Sequence, residues 1–133
     1  MTETEEPRFA PGFRMSARDA AVLIVGAGVA IILGSRLWQA GVITAFAVGH
    51  FFLFCNVFRT ERKPEIHWAA LFVSLTTINV LTGLPGWAAT LGISLGASAG
   101  LILMEMRKPN YHGIGWRRIN PDLPEWWKAR GTP

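Results

Sequence analysis

Apolar positions in this chain fall in long charge-free runs. Sixteen residues without a charge separate Asp19 from Arg36, 22 separate Arg36 from Arg59, and 39 separate Glu65 from Glu105. A hydrocarbon core of about 30 Å takes roughly 20 helical residues, each rising about 1.5 Å. The 22-residue run is one span, and the 39-residue run is the length of two. Its middle holds Gly83-Leu84-Pro85-Gly86, whose glycines and proline favour a tight turn. The 16-residue run reaches span length if Asp19 and Arg36 lie at the interfaces, with Arg36 snorkelling. The pattern therefore predicts an all-α polytopic membrane protein with helices near 17–37, 41–58, 65–84 and 87–106. An N-terminal arm, 1–16, precedes this four-helix bundle (17–106), and a C-terminal tail, 107–133, follows it.

Local signals agree with these boundaries. Ser16-Ala17-Arg18-Asp19 has the Ser-x-x-Asp spacing of a capping box ahead of the first apolar run. Pro64 and Glu65 suit a first helical turn, where a missing N–H is harmless and a carboxylate meets the positive end of the dipole. Pro85 suits the start of the fourth helix in the same way. Trp38, Trp68 and Trp87 fall at expected interfaces, as in aromatic belts.

Charge then sets an orientation. The chain has 13 Lys and Arg against 9 Asp and Glu, a formal net charge of +4. Arg8, Arg14 and Arg18 precede the first span, and Arg59, Arg62 and Lys63 sit between the second and third. Arg107, Lys108, Arg117, Arg118, Lys128 and Arg130 follow the fourth, which leaves only Arg36 for the opposite face. The positive-inside rule puts both termini in the cytoplasm, with very short outer loops. Basic residues with this distribution are membrane flanks, so no nucleic-acid partner is expected. The expected location is a bacterial inner membrane, as a multi-pass protein in contact with the lipid bilayer. Glu3, Glu5 and Glu6 give the wrong charge for a signal-peptide n-region, and no small-x-small cleavage site follows, so the first helix should be retained. The lone Cys55 is expected to be a small buried apolar residue.

The tail is unusually aromatic for a polar terminus. It carries Tyr111, Trp116, Trp126, Trp127 and four prolines among six basic residues. Large rings drive burial, so this segment should pack on something. Asp122 to Arg130 reads as a short helix, 122–130, acidic early and basic late. Trp116, Trp126, Trp127, Arg117 and Arg118 are the candidates for docking on a partner subunit; the alternative is an anchor lying in the lipid headgroups.

Two rows of small residues recur every fourth position. Gly92, Gly96 and Gly100 form one on the fourth helix, extended by Ala88; Gly26, Ala30 and Gly34 form another on the first. Residues four apart share a face, and a face without side chains lets a second helix approach closely. Two such faces on one small bundle imply that one packs internally and the other outward.

No Asp, Glu, Lys or Arg lies mid-span, and the one titratable group at depth is His50. Intramembrane polar groups are costly and need partners. His50 could hydrogen-bond Thr76, Thr77, Asn79 or Thr82 of the third helix. It could instead be an axial ligand, to a bacteriochlorophyll magnesium or to one side of a haem. Asn56 should cap backbone groups or meet the 59–64 loop, and Glu105 should be a solvated interfacial charge. The chain has no Ser/His/Asp set, no metal-spaced Cys or His pair and no phosphate loop, which excludes the familiar catalytic constellations. The expectation is a non-enzymatic accessory subunit of a larger respiratory or photosynthetic membrane complex, with other membrane subunits as partners. A pigment- or haem-binding protein using His50 and a small transporter or channel are the alternatives.

Overall fold

The computed structural model describes residues 9–131, and it is helical throughout with no strand among them. The first half of the arm and the last two residues of the tail lie outside the described residues, as does Arg8, one of the twelve clustered cations. Six helices follow in order: α1 (Ala17–Arg36), α2 (Trp38–Phe52, continued by a π-helical turn Leu53–Val57), α3 (Arg62–Thr82), α4 (Trp87–Met106), α5 (Trp116–Ile119) and α6 (Leu123–Gly131). Three of them are long and apolar enough to cross a membrane: α1, α2 with its π turn, and α4. α3 has comparable length, but Glu65, His67 and Asn79 make it more polar.

α1 starts where its capping box predicts. The Asp19 N–H donates to Ser16 Oγ at 3.2 Å, and the Ser16 N–H donates back to Asp19 Oδ2 at 2.7 Å. It ends at Leu37, a single extended residue that also caps α2. The sequence had suggested a loop up to residue 41. The loop shrinks to one residue because the two backbones nearly touch beside it. A Cβ placed on Gly41 would lie 2.6 Å from Gly34 Cα and 2.8 Å from the Ala30 carbonyl oxygen. Only a glycine pair permits that approach, and the tight hairpin depends on it.

α2 loosens at its end. The Phe58 N–H donates to Leu53 C=O at 2.9 Å, the wider spacing of a π turn. Arg59 then takes a left-handed conformation, φ 50°, and reverses the chain into α3. α3 begins at Arg62, three residues earlier than the charge pattern suggested, so Pro64 is its third residue. It stops at Gly83, whose φ of 74° is the left-handed C-cap that favours glycine. The Asn79 side chain accepts the Gly86 N–H at 2.9 Å and ties this turn to the start of α4. Pro85 lies just ahead of the Gly86 N-cap rather than inside the helix.

The core lies where α2, α3 and α4 meet. Phe54, Trp68 and Phe72 are buried there, with Phe46, Ala47, Leu91 and Leu101 packed around them. Trp68 is 1% exposed and donates from Nε1 to the Ser94 carbonyl at 2.9 Å. It is therefore a core residue and not part of an interfacial belt. It belongs to the face Trp68, Phe72, Thr76, Asn79, all buried, which the four-residue helical step turns inward. Trp38 and Trp87 do sit at the opposite end of the bundle from the termini, 5.3 Å apart edge to face. α1 has no buried residue and turns Val22, Ile24, Val25, Ile31 and Ile32 outward. An apolar outer surface on a helix of span length is compatible with a surrounding of lipid.

Candidate functional site

α4 presents two faces of small residues, and the structure gives them different tasks. Thr90, Ser94 and Ser98 are buried against the rest of the bundle. The Ser94 hydroxyl donates back to Thr90 C=O at 2.8 Å, so its polarity is satisfied within its own helix. Gly92, Gly96 and Gly100 sit two residues further along, about 200° around the helix. They are exposed, and a Cβ built on any of them meets nothing within 4 Å. The internal contact of α4 is thus made by Thr90, Ser94 and Ser98 together with apolar neighbours such as Leu91 and Leu101, and the glycine row takes no part in it. The row on α1 is opposite in character. Gly34 packs on Gly41, the Ala30 carbonyl touches the same residue, and a Cβ on Gly26 would lie 2.8 Å from Val48 Cγ1.

His50 is 5% exposed, inside an aromatic stack. Its ring lies parallel to Trp68, centroids 4.3 Å apart at 9°, and Phe46 covers it at 4.2 Å. Nδ1 lies 2.8 Å from the Phe46 carbonyl. A carbonyl only accepts, so Nδ1 carries the proton and Nε2 holds the lone pair. Nε2 meets the Ser98 hydroxyl of α4 at 3.3 Å. The partner is thus Ser98, and not Thr76, Thr77, Asn79 or Thr82 of α3. A tetrapyrrole bound through Nε2 would have to stand where Ser98 and α4 now are. No group of three or more His, Cys, Asp or Glu that could hold a metal occurs among the described residues.

Arm, loop and tail gather at one end of the bundle. Asn56, buried in the π turn, donates from Nδ2 to Arg14 C=O at 2.9 Å, and the Arg14 N–H donates to Asn56 C=O at 3.1 Å. The Gly12 N–H donates to His112 C=O at 2.7 Å, and the Ile114 N–H to Val57 C=O at 2.8 Å. Phe9 meets the edges of Trp116 and Trp127 at 5.9 and 5.6 Å. Leu123, at the start of α6, is fully buried. Gly113 has to be glycine, because a Cβ there would lie 2.2 Å from the Phe58 carbonyl oxygen. The tail therefore docks first on its own chain, an option absent from the choice between partner and lipid. Arg117 and Arg118 stay exposed on the cap, and Arg130 lies 4.6 Å over the half-buried Trp126 ring.

Charges lock this cap to the bundle. Glu105 is 5% exposed rather than solvated; it pairs with Lys108 and accepts the Glu61 N–H at 3.3 Å. Glu61 also accepts from Lys108 at 3.1 Å and from Asn110 at 3.1 Å. Those hydrogen bonds, Asn110 first, hold the Glu61 carboxyl below its ordinary range, and the bond to Glu105 raises Lys108. Burial raises Tyr111, whose hydroxyl donates to Ile114 C=O at 2.8 Å. Cys55 is exposed rather than buried; its thiol points to Glu65 Oε1 at 3.4 Å. No protein-family model, curated protein or solved structure matches the chain. Sequence spacing revealed both glycine rows but not the Thr90, Ser94, Ser98 face, although it has the same four-residue step.

Proposed function

We propose that this chain is a four-span, non-catalytic subunit that joins a larger membrane assembly through the glycine face of α4. The bare row of Gly92, Gly96 and Gly100 carries this reading. A helix long enough to span a membrane already packs internally through another face, so its side-chain-free face is spare contact surface. In lipid no hydrophobic drive brings helices together, and close backbone approach is what small residues provide. We read α3 as the fourth span; its length, close to that of α4, and its bonds to α4 through Trp68 and Asn79 support this. Eleven of the described cations flank the helices at the end where arm, loop and tail gather, which supports a cytoplasmic position for that end. There the clasped arm and tail form a cap whose exposed Arg117 and Arg118 are available to a partner subunit.

Purification in a gentle detergent with mass spectrometry is expected to recover the chain with other membrane subunits. A reporter active only in the periplasm should be silent when fused to the C-terminus. A chain recovered alone would refute the accessory role. A visible absorption band on the purified chain would transfer the assignment to ligation at His50.

A further inference from the structure

The end of α2, its π turn and the first half of α3 line a groove of about 660 Å³, open on its outer side. Phe51 of α2 forms one wall, and Ala70 and Val73 of α3 form the other. Arg62 and Glu65 stand at its mouth. They are three residues apart on one helix, the spacing at which opposite charges usually pair, yet no ion pair joins them among the described residues. Arg62 is exposed, and its side chain makes no hydrogen bond among the described residues. Glu65 uses one oxygen to accept the Cys55 thiol, and its other oxygen has no partner among the described residues. From Arg62 to Val73 the helix rises about 16 Å, the depth of much of one leaflet.

We propose that this groove binds one phospholipid with a phosphoethanolamine headgroup. Arg62 takes the phosphate, Glu65 takes the primary ammonium, and an acyl chain lies between Phe51 and Ala70. The unpaired opposite charges fix the headgroup class. A cation alone would select any anionic lipid, whereas an arginine beside a carboxylate suits a phosphate that carries its own N–H donors. Ala70 leaves the room, since a single methyl stands where a larger side chain would fill the groove. The proposal rests on α3 being a span, which labelling of cysteines introduced along α3 tests without any lipid.

The test is native mass spectrometry of the full chain, offered dioleoyl phosphatidylethanolamine, phosphatidylcholine and phosphatidylglycerol in equal amounts. One phosphatidylethanolamine should be retained about tenfold over each of the others. Phosphatidylcholine has the phosphate but no ammonium N–H, and phosphatidylglycerol has no cation. R62Q should lower retention of all three lipids. E65Q should abolish the preference for phosphatidylethanolamine over phosphatidylglycerol. A70L, at an exposed position, should remove the bound lipid whatever its headgroup while the unfolding temperature stays put. Equal retention of all three lipids by the parent overturns the proposal, as does a preference that survives E65Q. Undiminished retention by A70L would put the lipid elsewhere and overturn it too. Tighter retention of phosphatidylglycerol would mark a plain anion site and overturn the headgroup assignment.

Discussion

Replacing Gly41 by leucine is expected to separate α1 from α2. A Cβ at this position would lie 2.6 Å from Gly34 Cα, 2.8 Å from the Ala30 oxygen and 2.9 Å from the Gly34 nitrogen. Every one of those atoms is backbone, so no side chain can rotate away. Overpacking a core costs about 1–3 kcal/mol when neighbours can adjust. Here the helices themselves must part, and the cost should reach about 3 kcal/mol or more. α1 has no buried residue of its own and is held chiefly by α2, so little else would keep it in place. G41L should lower the unfolding temperature in detergent sharply and abolish a cross-link between cysteines placed on α1 and α2. Gly28 is the control, because a Cβ there meets nothing within 4 Å. G28L should behave like the parent. Equal stability of G41L and the parent would show that the hairpin does not rest on this contact.

Cutting the chain after Lys108 is expected to free the arm while leaving the long helices intact. The cut removes the His112 carbonyl that holds Gly12, the Trp116 and Trp127 edges that hold Phe9, and the fully buried Leu123. It spares the Lys108 contacts with Glu61 and Glu105 and the bracket between Asn56 and Arg14. Backbone amides of residues 9–13 should then exchange at least about tenfold faster, while those from Ser16 onward change little. L123A within the full chain is the milder version. Losing a fully buried leucine side chain costs about 2–5 kcal/mol, enough to open a small cap. If the tail were only a lipid anchor, the arm would keep its protection after the cut, and that result would remove the clasp from the account.

The sequence carried the bounds of α1 and α4 well, missed the starts of α2 and α3 by three residues, and carried internal orientation poorly. Charge-free length placed α1 and α4 to within a residue, and the Ser16–Asp19 capping box and the turn at Gly83 have local causes that need no tertiary context. The short tail helix was legible from its acidic start and basic end. Orientation was harder because lipid and protein core are equally apolar, so the contrast that points a helix inward in water is lost. Trp68 looked like a belt residue for this reason, although its spacing with Phe72, Thr76 and Asn79 marks the inward face. The glycine spacing on α4 is conspicuous, while the Ser and Thr face that packs inside has the same four-residue step but reads as merely polar. Glu105 and Cys55 exchanged the expected environments because the tail, folding back at Lys108, pairs with one, while the other lines the groove between α2 and α3. Docking of the tail on its own arm needs contacts across about 100 residues, which no local pattern encodes.

The bare glycine face of α4 can be tested on its own, since a Cβ there meets nothing within 4 Å among the described residues. G96L adds a large side chain into open space in the isolated subunit, so its unfolding temperature should match the parent. In a membrane assembly that face should meet the backbone of another helix, and the same leucine would hold the two apart. The direct measurement is the size of the particle that each form yields on native separation in a gentle detergent. The parent should migrate as a large complex and G96L as the free subunit, both fully inserted and equally stable. Identical complexes from the two forms would contradict the account, because the glycine face would then be a surface for lipid alone.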